Sequence, residues 1–536
     1  MDREREQQAI KDKVAEYLAL GEKFENPPQV KLKIVPHSVD DSPLDARGIA
    51  VSTAIQCYAP GQARMTQRDD EKSQNILEST KKAGHHTTQQ HANYTFLLSC
   101  SRSVLHDIFH QHPFYNSEQQ SQRYVRARSG EFLTPAGLTT EQARFFNEAA
   151  MYMNNAYDEF LSLLKGPIEE KLRELYRGKA RENLPAKRDK IAQEVARYAL
   201  PIGQLSVLYH TLNQLQIARL FRACEQRNFP DEARYIVARM IDEIGQHDET
   251  IYSVLSEPTD TIDALDVFEE TSPEDIEDFR AEFDAELEEQ NCILIEHTHN
   301  ARGVLAKSVR VTRQKTKKSL PDDQAISSVL DPLKNRLLSD LYDIGMHVPF
   351  VHSLMHVTFT FGVKLSHTAD SQRQRHRTTP GSTAPITLAY NGTPDYITPM
   401  LIAQNPEIKA RYDVIMHTIF ANVNKAIEMG IPREQALLLL PNALALRIVE
   451  SGNLFNWIHR LRQRLCYLAQ EEIFFISVQQ AKAFLKVFPE GASLFLAPCG
   501  IRKRSGTSPF CPEGDRFCRV PVFNYILEQY EKHRLV

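Results

Sequence analysis

The sequence predicts an α+β protein made of two tandem domains, and three observations carry that expectation. At 536 residues the chain is too long for one ordinary hydrophobic core. The same order of strand-like and helical stretches runs twice along it. Two anchors also recur in the same order at similar separations: His91 and His356 are 265 apart, Pro201 and Pro441 are 240 apart. Self-similarity of that kind marks a duplicated domain.

Each half opens on a β-branched stretch, Val30-Lys-Leu-Lys-Ile-Val35 or Cys292-Ile-Leu-Ile-Glu296. A helix follows, then an alternating strand-like run around Tyr94-Thr-Phe96 or Thr358-Phe-Thr-Phe361. Next come a polar motif helix and a long helical stretch. Each half closes on a helical pattern carrying Leu-Pro with an Asn twelve residues beyond the Pro: Leu200-Pro201 to Asn213, and Leu440-Pro441 to Asn453. A Pro inside a helix removes a backbone hydrogen bond, so a kinked helix is expected in both halves.

Between the halves, residues 256–291 hold fifteen Asp/Glu and one Arg, a local charge of -14. Ser-Glu-Pro at 256–258 and Ser-Pro-Glu at 272–274 are helix-start or turn signals, and Phe279, Phe283 and Leu287 have helical spacing. The segment reads as an exposed helical linker, or else as a disordered acidic spacer. The expected division is 1–255, an acidic linker 256–291, and 292–536.

Hydrophobic content of 42% and charged content of 25% place the chain among soluble globular proteins. No run of eighteen apolar residues exists, so no membrane span is expected. Met-Asp-Arg-Glu-Arg-Glu at the start lacks an apolar signal core, and a cytoplasmic location is the expectation. There the eight cysteines read as thiols or metal ligands, not disulfides. The chain's net -5 against -14 in the acidic segment leaves +9 on the remainder, which suits an anionic ligand or is ordinary surface charge. No basic stripe with interleaved aromatics suggests a nucleic-acid groove. Cys499, Cys511 and Cys518, with Cys466, lack Cys-x-x-Cys spacing and read as thiols of a folded tail rather than a metal site. His85, His86 and His91 lack the His-Glu-x-x-His pattern, so no metal site is expected there either. Trp457, the single Trp, reads as core.

Two polar clusters carry chemistry. Arg375-His376-Arg377, with Gln372 one turn earlier, is a dense donor set suited to phosphate, carbonyl oxygens or a flat ring. Alone it is a weak signal and reads as a solvated basic patch. Ser121-Gln-Arg123-Tyr124, after Glu118-Gln119-Gln120, offers a hydroxyl, amides, a carboxylate and a guanidinium. That set can hold a phosphate and read a uracil-like edge, or be a polar helix end.

Together the pieces resemble the flavin-dependent thymidylate synthases. Gly84-His85-His86-Thr87-Thr88-Gln89-Gln90-His91, the Tyr94-Thr-Phe96 strand and Ser121-Gln-Arg-Tyr-Val125 are similar to that family's pattern. The second half adds its own Phe-Thr-Phe and Arg-His-Arg. The resemblance covers nearly the whole chain, twice, and implies two tandem domains, each a small antiparallel sheet packed with long helices.

Each half departs from the family in a different place. In the first, the Arg-His-Arg position reads His110-Gln111-His112-Pro113, and Gln90 stands where the family has Glu. In the second, Thr378-Thr-Pro-Gly-Ser-Thr-Ala-Pro385 replaces the nucleotide-binding continuation, with Pro385 in the place of Ser121. Pro349-Phe-Val-His352 replaces the Gly-His-x-Thr segment. The family's Arg before the Leu-Pro is kept as Arg197 but lost as Leu437; its later Arg is lost as Cys224 but kept as Arg464.

The resemblance implies a site shared between halves. Gln119, Gln120, Ser121, Gln122, Arg123 and Arg197 of the first half would meet Gln372 and Arg375 of the second around dUMP. Arg464 would polarise the uracil. Arg375, His376, Arg377, Asn453, His459 and Thr87 would hold FAD. The implied reaction is reductive methylation of dUMP to dTMP, with methylenetetrahydrofolate and NADPH as co-substrates. The implied assembly is a homodimer forming a pseudo-tetramer with two competent sites, with no nucleic-acid or membrane partner. Two alternatives stay open: a related flavin enzyme modifying C5 of another pyrimidine nucleotide, and a non-catalytic nucleotide-binding homologue.

Overall fold

The computed structural model describes residues 2–35, 44–62, 64–65, 70–106, 114–176, 183–225, 229–255 and 271–534. The expected duplication is what the structure shows. The first half forms one antiparallel sheet from β1 (Gln29–Ile34), β2 (Asn93–Ser101), β3 (Asn116–Gln119) and β4 (Leu205–Asn213), in the order β1-β2-β4-β3. The second half repeats it with β5 (Cys292–His297), β6 (Thr358–Ser366), β7 (Gly381–Thr383) and β8 (Ala445–Asn453), in the order β5-β6-β8-β7. Even the irregularity recurs, between Leu32 and Ile34 and between Leu294 and Glu296.

Alternation along the central strands sets which face is buried. Tyr94, Phe96, Leu98 and Cys100 point into the first core, and Phe359, Phe361, Val363 and Leu365 into the second. Each fully buried Phe contributes ~2–3 kcal/mol. Trp457 is core as expected, edge-on to Phe361 and Phe484 at 5.2 and 5.3 Å.

Each central strand ends on a Ser that caps the next helix and is held by a buried carboxylate. The Ser101 N–H and hydroxyl donate to Glu232 at 2.7 and 2.5 Å; those of Ser366 donate to Glu472 at 2.6 Å each. The same device at equivalent positions fixes where both motif segments leave the sheet.

The halves meet about a pseudo-two-fold axis at the two Leu-Pro segments. Ile202 N–H donates to Leu440 O and Asn442 N–H to Leu200 O, both at 2.8 Å; Gly203 N–H donates to Leu438 O and Ala443 N–H to Tyr198 O, both at 2.9 Å. A Cβ on Gly203 would lie 2.9 Å from Leu438 Cβ and O, so glycine permits this approach. Helices Thr140–Leu163 and Pro406–Glu428 pack beside the seam, with Tyr157 and Phe160 against Tyr412 and Met416.

Three expectations are corrected. The Leu-Pro sequences do not kink a helix. Each follows a 3-10 turn, Arg197–Ala199 or Leu437–Leu439, and then leads into a strand, because the residue before Pro is pushed out of the helical region. Leu200 and Leu440 are extended, at φ -67, ψ 146 and φ -62, ψ 144. Asn213 and Asn453 cap the next helices by accepting from the N–H of Gln216 and Asn456. Glu118 and Gln119 lie on strand β3, not on a helix, and Ser121–Tyr124 is a turn. Finally, the acidic segment is docked in its second part. Helix Pro273–Glu286 inserts buried Arg280 onto Asn391 Oδ1 (2.8 Å) and Ala389 O (2.7 Å), and Asp284 accepts from Lys364 and Arg447 at 2.6 Å. Residues 256–270, and the His110–Pro113 motif position, lie outside the described residues.

Candidate nucleotide site between the two halves

Helix His367–Arg373 begins at the Ser366 cap and runs into a turn in which His376 N–H donates to Arg373 O at 2.9 Å. This places Gln372, Arg375, His376 and Arg377 at the edge of the second half. Arg464 is the last residue of helix Leu454–Arg464, and it is gripped by that turn. Its Nε donates to His376 Nε2 at 2.9 Å, its Nη2 to Gln372 O at 2.6 Å and its Nη1 to Gln372 Oε1 at 3.3 Å. His376 must accept from Arg464, so its proton sits on Nδ1. Burial, reinforced by Arg464, Arg460 and His459, holds its pKa well below the usual range, which keeps the ring neutral.

The first half brings the complementary set. Gln119 leaves β3 with its amide on Ser206 Oγ at 3.0 Å, and Gln120 N–H donates to Val207 O. Ser121 Oγ accepts from Arg123 N at 3.2 Å and shapes the turn. Gln122 Oε1 accepts from Asn442 Nδ2 of the other half at 3.3 Å. Arg123 pairs with Glu194 at 2.6 Å and donates to Leu468 O of the second half at 2.6 Å. Arg197 is buried on the seam; its Nη2 has no hydrogen-bond partner among the described residues.

Sequence reasoning missed Arg102. It is buried directly after β2, near Arg197 and Arg375, and burial with those neighbours lowers its pKa to about 9. Burial, with Arg460, Arg123 and Arg375 nearby, lowers Arg464 to about 9 likewise. Arg102, Arg123 and Arg197 of one half thus gather with Arg375 and Arg464 of the other. A charged group following the apolar run Leu97–Cys100 was the available signal. Arg102 and Arg197 are buried, and buried guanidiniums near one another are costly unless an anion joins them.

A second missed tie lies behind the cluster. His106 Nδ1 of the first half is 2.5 Å from Asp370 Oδ2, and Asp370 also accepts from Arg373 Nε at 2.5 Å. Arg373 lies 3.5 Å from Glu450, which accepts from Arg460 at 2.6 Å and Gln480 at 2.9 Å. Arg373 and His106 beside Asp370 hold its carboxyl far below the usual range despite burial. This buried network fixes the helix that carries Gln372 and the arginines.

The expected cofactor residues divide. Arg375 is exposed and makes no hydrogen bond or ion pair among the described residues. Arg377 lies over Tyr115 at 5.0 Å. His459 is 5.8 Å from His376, its Nδ1 held by Asp343 at 2.6 Å. Asn453 spends its side-chain oxygen on the helix cap. Thr87 is not with them: it sits exposed on the 3-10 turn His86–Gln90, packed against helices of its own half. Among the described residues, no three of His, Cys, Asp or Glu are arranged to hold a metal ion, and no helix is long and apolar enough to cross a membrane.

The sequence model of the thymidylate synthase complementing proteins matches residues 39–248 and 293–490, one copy per sheet domain. The chain belongs to that family. It is 30% identical over 171 residues to a flavin-dependent thymidylate synthase of Nitratidesulfovibrio vulgaris, spanning 30% of this chain and 67% of that one. It is 27% identical over 203 residues to the enzyme of that name from Clostridium tetani, spanning 37% and 76%. A solved UMP/dUMP methylase from Streptomyces cacaoi, bound with 5-Br dUMP, is 17% identical with a TM-score of 0.30, covering 44% of this chain and 98% of its own. The Nitratidesulfovibrio and Clostridium relatives align with about a third of the chain. The tail after residue 490 lies beyond the match.

Two pseudo-equivalent places on the seam differ sharply. The one bounded by Arg123, Glu194 and Arg464 opens into a cavity of about 860 Å³. The one bounded by Thr387, Glu434 and Leu437, which stand where Arg123, Glu194 and Arg197 stand in the first, encloses only about 20 Å³.

Proposed function

We propose that the chain catalyses FAD-dependent reductive methylation of dUMP to dTMP at one composite site, using methylenetetrahydrofolate and NADPH. The observation that carries the reading is the convergence of Arg123 and Arg197 with Gln372, Arg375 and Arg464 inside one chain. Each half alone holds part of the family's nucleotide set; the folded chain holds it together.

In this reading the Ser121–Arg123 turn and Arg197 bind the nucleotide and orient it. Ser121 acts as a positioning hydroxyl, since it accepts from its own turn and no base stands beside it. Arg464 stabilises negative charge developing on the uracil, and its three hydrogen bonds to Gln372 and His376 hold it preorganised for that task. Cys466, two residues beyond Arg464, is no candidate nucleophile: burial pushes its thiol up to about 12.

The donor set of the second half fits an anionic flavin nucleotide. Arg375, His376, Arg377 and His459 would hold it, with the Asn453 side chain beside them. The bound flavin supplies hydride to the reaction. Thr87 of the same chain lies apart from these residues, on the 3-10 turn His86–Gln90. Two chains would pair as a pseudo-tetramer with two competent sites, one per chain.

The purified protein should be yellow with a flavin absorption band. It should convert dUMP, and not dCMP or UMP, to the C5-methylated product. A colourless protein that still binds dUMP would favour the non-catalytic homologue.

A further inference from the structure

Both halves reuse one backbone arrangement where the segment after the central strand meets the Leu-Pro segment. In the first half Arg102 N–H donates to Gln204 O at 3.2 Å and Ser103 N–H to Ile202 O at 3.0 Å. In the second His367 N–H donates to Leu444 O at 2.9 Å and Thr368 N–H to Asn442 O at 3.0 Å. His367 therefore stands where Arg102 stands, and Asn442 where Ile202 stands. The backbones match and the side chains do not: Ile202 has no polar side-chain atom, whereas His367 and Asn442 bond to each other.

His367 Nδ1 lies 3.1 Å from Asn442 Oδ1. The other end of that amide reaches into the first half, where Nδ2 donates to Arg197 O at 3.0 Å and to Gln122 Oε1 at 3.3 Å. An amide oxygen only accepts, so His367 carries its proton on Nδ1. Burial, with His106 and Arg102 beside it, holds the His367 pKa well below the usual range and keeps the ring neutral. Every bond in the chain then runs one way, from imidazole to Asn442 to Gln122. With its oxygen occupied, Gln122 is left with a buried Nε2 that has no hydrogen-bond partner among the described residues, like Nη2 of Arg197. Two buried open donors side by side call for an acceptor from outside the chain.

We infer that His367 is a positioning residue of the composite site: through Asn442 it fixes the amide of Gln122 so that a donor, not an acceptor, faces the ligand. This role presupposes the dUMP reading, because Gln122 and Arg197 are two of its nucleotide residues. His367 Nε2 has no hydrogen-bond partner among the described residues, so the donation from Nδ1 is what a substitution must keep or lose.

Calorimetric titration of the full chain with dUMP tests the role. His367→Phe keeps a flat ring against His106, whose ring lies 5.2 Å away, and removes the donor. It should weaken dUMP binding about tenfold. His367→Asn puts an amide donor near the place of Nδ1 and should recover most of that loss, a rescue that a purely structural role would not give. Asn442→Ile, which copies the first half, should weaken dUMP to a similar degree, and adding His367→Phe to it should cost little more, because the two side chains act as one unit. Parent-like affinity in His367→Phe, no recovery in His367→Asn, or additive losses in the double variant would overturn the role while leaving the dUMP site standing. Should His367→Phe not fold, Asn442→Ile decides alone, and parent-like affinity there overturns the role. No dUMP binding by the parent would overturn the dUMP reading itself, and this role with it.

Discussion

The two seam positions start from one duplicated plan and end in opposite states. On one side Arg123, Glu194 and Arg464 line an open cavity of about 860 Å³; on the other Thr387, Glu434 and Leu437 line one of only about 20 Å³. The charge explains both outcomes. Several guanidiniums close together resist collapse and favour an anion. Once apolar residues replace them, nothing opposes close packing, and Ile386, Leu437 and Leu438 fill the space. On the proposed reading, duplication let one site keep the nucleotide chemistry while the other became structural seam.

Exchanging residues across the seam tests that contrast. The largest effect belongs to Arg464→Ala. It removes a preorganised donor to developing charge, and kcat should fall by about 10²–10³ or more, with the fold intact by circular dichroism. Turnover like the parent's would break the assignment. Arg197→Leu, which copies the second half, should weaken dUMP binding by about tenfold or more. It should not lower the melting temperature, because the lost guanidinium was buried with an open donor. Leu437→Arg, the reverse copy, should cost ~3 kcal/mol or more of stability in a denaturant titration and create no second nucleotide site. Gly203→Ala, which forces a Cβ against Leu438, should cost ~1–3 kcal/mol at the seam, read as a lower denaturant midpoint.

The smallest effect is a pH one. Burial and Asp231 raise Glu434 to about 7, so its charge is disfavoured in the folded state. A raised carboxyl stabilises the fold while protonated, and that contribution is lost as pH rises from the usual carboxylate range through about 7. Glu434→Gln should therefore raise the melting temperature at pH 8 and change it little at pH 4. An equal gain at both values would contradict the cause.

Much of this was legible in the sequence. The repeated order of elements gave the duplication, because strand alternation and element order survive when side chains at a site do not. The complementary losses, Leu437 against Arg197 and Cys224 against Arg464, pointed to a shared site without geometry. Other features were not legible for physical reasons. A Pro after apolar residues reads as a helix kink, yet Leu200-Pro201 marks a turn-to-strand junction whose hydrogen bonds go to the other half. Fifteen carboxylates hid the single Arg280 that docks the acidic helix. His106 and Asp370 lie 264 residues apart and carry no local pattern. Arg534, near the chain's end, gave no hint that it lines a cavity with first-half helices.

The central claim is one competent nucleotide site per chain, built by both halves. Equilibrium dUMP titration of the purified protein against chain concentration tests it most directly. One site per chain, abolished by Arg123→Ala with Arg464→Ala, is the predicted result. Two equivalent sites per chain would contradict it.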